Sequence, residues 1–242
     1  MFGSSRFILY FCSVKTIAVI LAGGTGSRMG KDLPKQFIAV NERCIIEYAI
    51  DAFEQNDSID EICAVVHPAW IEHMKYIVSC NEWEKFTKIV VGGDERYMSS
   101  LHAIQAYENE PEDSLILFHD AARPLVSQEL ISGVVDALKD CRAAGVAVSC
   151  TDTIWHMKDG MINDIPERRS LMRAQTPQGF QLGVLREAYQ NAISEGNIDV
   201  TDDCGIVKKY LPEVHIHVIE GDERNIKVTY PSDLDILKQK FK

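Results

Sequence analysis

Residues 21–30, LAGGTGSRMG, form a glycine-rich segment whose residue types and spacing suggest phosphate chemistry. Glycine lets backbone N–H groups approach a ligand closely, and successive N–H groups form a concave site for anions. Two cations, Arg28 and Lys35, lie seven residues apart around these glycines. The segment therefore predicts an anion-binding loop, with a tight turn that needs glycine for backbone reasons alone as the alternative.

The residues that follow the glycines distinguish between kinds of nucleotide site. A dinucleotide-binding loop runs directly into an amphipathic helix, whereas here Pro34 interrupts residues 31–37, KDLPKQF. A Rossmann-type dehydrogenase would also need an acidic residue at the end of its second strand to hold the ribose, and residues 66–68 are VHP. A dehydrogenase is therefore the less favoured reading of this loop.

Strands that alternate with helices are predicted to position the loop. Residues 16–21 form an apolar run without polar alternation, as expected of a strand covered on both faces. Further strands are predicted at 62–66, 88–91, 114–118, 145–149, 214–219 and 225–229, with helical periodicity between most of them. This alternation predicts an α/β fold with a doubly wound, mostly parallel, Rossmann-like sheet.

The regular alternation breaks at about residues 151–174. Residues 158–160, KDG, are a turn signal and Pro166 is a breaker, so this stretch predicts a β-hairpin that leaves the sheet as an arm. We expect an N-terminal extension over residues 1–15 and one domain over residues 16–242 that includes the arm.

The composition limits the classes of partner. The 242 residues are 46% apolar, and 36 acidic against 25 basic residues give a formal charge of −11, which argues against nucleic-acid or anionic-membrane binding. Residues 21–37 nevertheless carry three cations and one aspartate, a local surplus of two. Seven cysteines without C-x-x-C spacing indicate free thiols in a reducing, cytoplasmic compartment. The apolar residues 7–11 are too short for a membrane anchor.

Five further motifs occur in order along the chain with the glycine-rich segment. They are GGDER at 92–96, HDAARP at 119–124, QTPQ at 175–178, TDD at 201–203 and NIKVT at 225–229. Together with LAGGTGSRMG and LPKQF, the set resembles the CTP-dependent cytidylyltransferases that activate 2-C-methyl-D-erythritol 4-phosphate or ribitol 5-phosphate. The resemblance implies a nucleotidyltransferase-type domain whose β-arm builds a homodimer, with CTP and a small polyol phosphate as substrates.

The chemistry that this resemblance implies is an attack of the polyol phosphate on the α-phosphorus of CTP, with pyrophosphate as leaving group. A phosphate monoester is almost fully dianionic at neutral pH, so the enzyme must mainly position and neutralise charge. The resemblance assigns Arg28 and Lys35 to the triphosphate and Lys227 to the reacting phosphates. It also places Arg168, on the arm, at the alcohol phosphate of the neighbouring subunit.

Asp120 closes the strand predicted at 114–118, where its carboxylate would face the nucleotide, and oxygen ligation with retained waters and phosphates suits a divalent cation, Mg²⁺. We also expect Asp120 on the substrate side of the site. An aspartate that only caps a strand end is the alternative. The remaining substrate-side matches are Arg123, Thr153, Thr176 and Thr201, and a structural role is equally compatible with each threonine. The nucleotide-side matches are Leu21, Ala22, Gly23, Gly24, Thr25, Gly26, Gly93, Asp94 and Ser99, with Arg96 ordering the loop at Gly93.

The choice of substrate stays open at this stage. Residues 165–168, IPER, and 201–204, TDDC, look closer to the ribitol 5-phosphate branch, which we favour slightly, whereas residues 121–124, AARP, look closer to the methylerythritol branch. A sugar-1-phosphate nucleotidyltransferase is an alternative, although its loop usually continues as P-K-x-L-x-P and residues 34–39 are PKQFIA. A catalytically inactive nucleotide-binding protein is the non-enzyme alternative. The joint presence of Arg28, Lys35, Asp120 and Lys227 argues against it.

Overall fold

The apolar run predicted as the first strand is β1, Thr16–Ala22, and Ile17 to Ile20 are fully buried. A computed structural model gives this arrangement and describes residues 14–24, 33–196 and 198–241. The other strands are β2 (Ala39–Val40), β3 (Arg43–Cys44), β4 (Glu61–Val66), β5 (Phe86–Val91), β6 (Leu115–Asp120), β7 (Ala143–Ser149), β8 (His156–Lys158), β9 (Met161–Asp164), β10 (Met172–Gln181) and β11 (Ile216–Glu220).

Seven of these strands form the central sheet, in the order β11-β7-β10-β6-β1-β4-β5. β1 pairs in parallel with β4 and β6, β4 with β5, and β7 with β11, whereas β10 runs antiparallel to both of its neighbours. The carboxyl ends of β1, β4, β5 and β6 therefore meet at one edge of the sheet. That edge is where open α/β folds bind ligands.

Helices cover both faces of the sheet. They are α1 (Ile45–Glu54), α2 (Ile71–Ser79), α3 (Arg96–Ala106), α4 (Gln128–Ala137), α5 (Leu182–Glu195), α6 (Asp203–Tyr210) and α7 (Asp233–Lys240). The apolar sides of α1, α2 and α4 form one core with the sheet, and those of α3, α5 and α6 form the other. Burial on both faces explains why β1 is apolar along its whole length.

A third, smaller core lies beside the sheet and holds two loops together. It joins Ile38 and Val40, at the β2–β3 hairpin, to Val228 and to Leu234 and Leu237 around α7. Val228 is fully buried, and its backbone N–H donates to the carbonyl of Ala122 at 2.8 Å. This core fixes the segments that carry Lys35 and Lys227.

The doubly wound, mostly parallel sheet predicted from the sequence is confirmed, and two details differ. The strand predicted at 225–229 is wrong: this segment is irregular, because its backbone bonds Ala122 instead of a strand ladder. β10 also returns into the sheet between β6 and β7, which the sequence did not predict. The predicted hairpin is present as β8 and β9, a separate two-stranded sheet with exposed residues.

The proposed extension over residues 1–15 lies almost entirely outside the described residues. Within the part of the chain that the structure describes, none of the helices combines the length and apolar character of a membrane span.

Candidate active site

A cavity of about 330 Å³ opens at the carboxyl edge of the parallel strands. Its walls come from five places in the sequence: the end of β1, the segment with Lys35 and Gln36, residues 93–99 between β5 and the first turns of α3, the end of β6, and the 227–229 segment. The lining residues are Leu21, Ala22, Gly23, Gly24, Lys35, Gln36, Gly93, Asp94, Glu95, Arg96, Ser99, Asp120, Ala121, Ala122, Lys227 and Thr229.

The side chain of Gln36 anchors the start of the glycine-rich segment. Its Nε2 donates to the carbonyls of Ala22 at 2.7 Å and Gly24 at 2.9 Å, and the residue is buried. The carbonyls of this turn are thus bonded from within the protein. Gln36 is not among the residues predicted from the sequence, and its place in the LPKQF motif directly after Lys35 was the available signal.

Ser99 and Met98 lie so close to two glycines that a side chain at either glycine would clash with them. A Cβ on Gly23 would lie 2.9 Å from Oγ of Ser99, and a Cβ on Gly93 would lie 2.3 Å from Cβ of Met98. The N–H of Gly93 donates to Oγ of Ser99 at 3.1 Å. Gly23 therefore permits a close approach of the β1 loop to α3, and Gly93 a close approach of its own loop to the first turn of α3, which is a different need from a left-handed turn.

Asp120, the last residue of β6, lies among three cations. Its Oδ2 is 2.7 Å from Nζ of Lys227 and 3.8 Å from Nε of Arg123, and its Oδ1 is 3.9 Å from Nε of Arg96. Burial alone would raise the pKa of Asp120, but the positive charges of Lys227, Arg96 and Arg123 hold it well below its usual range. The carboxylate is therefore ionised at neutral pH.

A buried relay of hydrogen bonds holds the backbone next to Asp120. The N–H of Asp120 donates to Oγ1 of Thr176 at 3.1 Å, and that hydroxyl lies 3.0 Å from Nδ1 of His119. Nε2 of His119 lies 3.0 Å from the carbonyl of Arg123. Burial lowers the pKa of His119 to about 4, so the ring is neutral and donates from Nε2 while Nδ1 accepts from Thr176.

Lys35 and Lys227 approach the cavity from two loops that touch each other. Nζ of Lys35 donates to the carbonyl of Val228 at 2.7 Å, next to Lys227 in the chain. Arg123 braces the same loop, because its Nη1 donates to the carbonyl of Asn225 at 2.7 Å. The buried Nε of Arg123 has no hydrogen-bond partner among the described residues.

The structure brings most predicted nucleotide-side residues, with Lys35, Asp120 and Lys227, into the walls of this cavity. The predicted residues Thr25, Gly26 and Arg28 lie outside the described residues. Arg123 and Thr176 are buried behind the cavity and bond the protein itself. Thr153, Arg168 and Thr201 are exposed and are not among the lining residues, so their contacts with a substrate stay predictions.

The donor set around Asp120 fits a cation that takes most of its ligands from a substrate. Oδ1 of Asp120 lies 3.9 Å from Nε of Arg96, which is beyond hydrogen-bond distance. Among the described residues no group of three or more His, Cys, Asp or Glu side chains could hold a metal without substrate oxygens. One carboxylate with phosphate oxygens and water is a common arrangement for Mg²⁺.

The fold and the cavity together define a nucleotidyltransferase of the cytidylyltransferase class. A crystal structure of 4-diphosphocytidyl-2C-methyl-D-erythritol synthase from Anaerococcus prevotii superposes with a TM-score of 0.81 at 26% identity, covering 94% of this chain and 96% of that one. The family model of 2-C-methyl-D-erythritol 4-phosphate cytidylyltransferase matches residues 16–240. The chain belongs to this family.

Two relatives share the same level of identity with the chain. The 2-C-methyl-D-erythritol 4-phosphate cytidylyltransferase of Thermobifida fusca is 41% identical over 227 residues, which are 92% of this chain and 91% of that protein. The bifunctional ribulose 5-phosphate reductase/CDP-ribitol pyrophosphorylase Bcs1 of Haemophilus influenzae is 41% identical over 229 residues, but the match covers only 48% of it. The resemblance carried by the sequence motifs is confirmed. These comparisons do not favour ribitol 5-phosphate, the substrate that the sequence slightly favoured.

Proposed function

We propose that the chain transfers the cytidylyl group of CTP to 2-C-methyl-D-erythritol 4-phosphate and releases pyrophosphate. The observation that carries the proposal is the convergence of Lys35, Lys227 and Asp120 on a glycine-walled cavity at the carboxyl edge of the sheet. The family match over residues 16–240 and the relative matched over 91% of its length favour this substrate.

The proposed reaction is an in-line displacement at phosphorus. An oxygen of the polyol phosphate forms a bond to the α-phosphorus, and the bond from that phosphorus to the bridging oxygen breaks, so pyrophosphate leaves with the electron pair. The nucleophile is already an anion, so no side chain has to remove a proton. The residues act by holding the two phosphates together and by compensating charge.

Lys35 and Lys227 supply positive charge to the triphosphate and the developing pyrophosphate. Asp120 holds Lys227 at 2.7 Å and offers Oδ1 to a divalent cation, which when bound supplies further positive charge to phosphate oxygens. Ser99 and the loop at Gly93 line the part of the cavity that we assign to the cytosine and ribose. Arg28, in the segment between Gly24 and Leu33, is proposed as a further cation on the triphosphate.

We further propose that the arm pairs two chains into a homodimer. The arm exposes apolar side chains that a lone domain would leave in water: Ile154, Trp155, Met157, Met161, Ile162 and Ile165 are each at least 44% exposed. Arg168 follows them, and its Nη1 donates to the carbonyl of Thr151 at 3.1 Å. In the dimer, Arg168 would reach the polyol phosphate held by the other chain.

Ribitol 5-phosphate is the second candidate substrate, because the Haemophilus influenzae relative is equally identical over its matched half and residues 165–168, IPER, lie on the arm. The deciding experiment measures pyrophosphate release from CTP and Mg²⁺ with each polyol phosphate in parallel. We expect kcat/KM for 2-C-methyl-D-erythritol 4-phosphate to exceed that for ribitol 5-phosphate by at least about tenfold, or about 1.4 kcal/mol. The reverse order would transfer the proposal to ribitol 5-phosphate, and no release with either would contradict the proposed function.

A further inference from the structure

A fully buried carboxylate, Asp203, lies behind the nucleotide side of the cavity. Its Oδ2 is 2.6 Å from Nη1 of Arg96, and its Oδ1 accepts a hydrogen bond from the hydroxyl of Tyr189 at 2.8 Å. Tyr189 is also buried, and burial raises its pKa well above the usual value, so its hydroxyl is a permanent donor. Both oxygens of Asp203 therefore have a defined partner.

The backbone that carries Asp203 is tied to the central sheet. Asp203 is the first residue of α6, and its neighbour Asp202 caps that helix by accepting from the N–H of Gly205 at 2.8 Å. Gln178 of β10 donates to Oδ2 of Asp202 at 2.7 Å and accepts from the N–H of Cys204 at 3.2 Å. These bonds fix the position of Asp203 relative to the strands whose ends form the cavity.

Arg96 is the residue through which Asp203 can act on the site. It is the first residue of α3 and directly follows Gly93, Asp94 and Glu95, all of which line the cavity. Its Nε is 3.9 Å from Oδ1 of Asp120, so Arg96 lies between two carboxylates and bonds closely to only one of them. Burial would lower the pKa of Arg96, but Asp203 and Asp120 raise it, so its charge is permanent.

The geometry points to Asp203, supported by Tyr189, as a positioning residue that holds Arg96 away from Asp120 and thereby orders residues 93–95 for CTP. This inference rests on the proposed function, since it assigns that loop to the nucleotide. Without the charge of Asp203, the nearest carboxylate for Arg96 is Asp120. Arg96 would then compete with Lys227 for Asp120, and the start of α3 would lose its anchor.

The inference is tested with Asp203→Asn, which keeps the shape of the side chain and removes its charge. Loss of a charged, buried hydrogen bond predicts a rise of about tenfold in KM and in the dissociation constant for CTP. KM for the polyol phosphate should stay within about twofold, because both residues 93–95 and Lys227 are proposed to act on CTP and its triphosphate. Tyr189→Phe should shift the CTP values in the same direction by about threefold, since it removes one neutral hydrogen bond from Asp203.

Glu61→Gln is the matched control, because Glu61 is also a buried carboxylate that pairs with a cation, Lys15, and accepts from a tyrosine hydroxyl, Tyr107. It begins β4 and is not among the residues that line the cavity. We expect it to leave KM for CTP unchanged. CTP binding is measured by calorimetry and the melting temperature of each variant is recorded. If Asp203→Asn does not fold, Tyr189→Phe decides the question by the same measurements.

Unchanged CTP values in the folded Asp203 or Tyr189 variants, or an equal rise in Glu61→Gln, would overturn the inference and leave the proposed function standing. A wild-type protein that neither binds CTP nor releases pyrophosphate would overturn both.

Discussion

Nζ of Lys227 lies 2.7 Å from Oδ2 of Asp120, although 107 positions separate the two residues in the sequence. The lysine is on an irregular loop and the aspartate ends a buried strand, so the pair joins two elements that lie far apart in the sequence. The side chain of Lys227 is 44% exposed and lines the cavity, whereas the side chain of Asp120 is 13% exposed. The pair can therefore present Lys227 to an incoming phosphate without releasing Asp120.

Lys227→Met tests that role. We expect kcat to fall by about 100-fold or more, because the variant removes a charge that stabilises the transition state, while the apolar stem still packs. Steady-state pyrophosphate release measures the change. Lys139→Met is the control, since Lys139 also pairs with an aspartate at 2.7 Å, Asp136, but on an exposed helix end. Equal rates for wild type and Lys227→Met would remove Lys227 from the mechanism.

Lys35→Ala separates catalysis from stability. The side chain is half-buried and donates to the carbonyl of Val228, whereas the third core beneath it is apolar. We expect turnover to fall by about two orders of magnitude with a melting temperature within a few degrees of wild type. Lys75→Ala, which removes an exposed lysine paired with Glu72, should change neither quantity. A large fall in melting temperature with normal kcat would make Lys35 a structural residue.

The parts of the site that sequence could predict are those that depend on neighbours in the chain. β1 and the glycines after it are local features, and Asp120 follows an apolar strand, so each could be placed at the carboxyl edge of a parallel sheet. The pairing of Arg96 with Asp203 spans 107 positions, and nothing in either local sequence specifies it. Only the fold brings them together.

Two errors in the strand assignment have the same physical origin. Residues 225–229 have the composition of a strand, but Val228 bonds Ala122 and Lys35 in place of a strand partner. β10 contains polar residues that do not suggest a buried strand. Gln175 and Gln178 nevertheless fit there because the first bonds the carbonyl of Asp222 and the second bonds Asp202. Tertiary hydrogen bonds override local propensity in both places.

The neutral, buried His119 predicts a pH dependence of stability. Its pKa is lowered from 6.5 to about 4 in the folded chain, so the unfolded chain binds more protons below pH 6.5. The stabilisation is fully present above pH 6.5 and is lost as the pH falls towards 4, by about 2 kcal/mol between pH 7.5 and pH 5. Urea unfolding at these two pH values measures the loss.

His119→Asn should reduce the change in the free energy of unfolding between pH 7.5 and pH 5, whatever its effect on stability at neutral pH. His156→Gln, on the exposed strand β8, should keep the wild-type dependence of the free energy of unfolding on pH. Glu61, whose pKa is lowered to about 2 by hydrogen bonds from Lys15, Thr87 and Tyr107 that outweigh its burial, loses its contribution only below about pH 4.5. Between pH 7.5 and pH 5 the loss therefore comes from His119 and not from Glu61. A slope that is the same in wild type and His119→Asn would contradict the assignment to His119.

The position of Arg168 on the exposed arm predicts that it serves the site of the other chain. Arg168→Ala should raise KM for the polyol phosphate and leave KM for CTP unchanged, because the variant removes a phosphate contact without touching the nucleotide loop. Arg169→Ala is the matched control on the same exposed turn. Steady-state kinetics with each substrate varied in turn measures the split, and an equal effect of both variants would argue for a general charge effect of the arm.

Mixing two variants that are each slow at low polyol phosphate tests whether Arg168 acts across the dimer. A chain with Arg168→Ala and intact Lys35, paired with a chain that has Lys35→Ala and intact Arg168, rebuilds one complete site only if Arg168 reaches the partner. Random reassortment after unfolding and refolding together then restores about a quarter of the wild-type rate at low polyol phosphate. If Arg168 acts within its own chain, no pairing assembles a complete site and the mixture stays as slow as the separate variants. Met161→Glu, which puts a charge on an arm residue that is 70% exposed, should abolish the restoration by preventing dimer formation, as sedimentation would show.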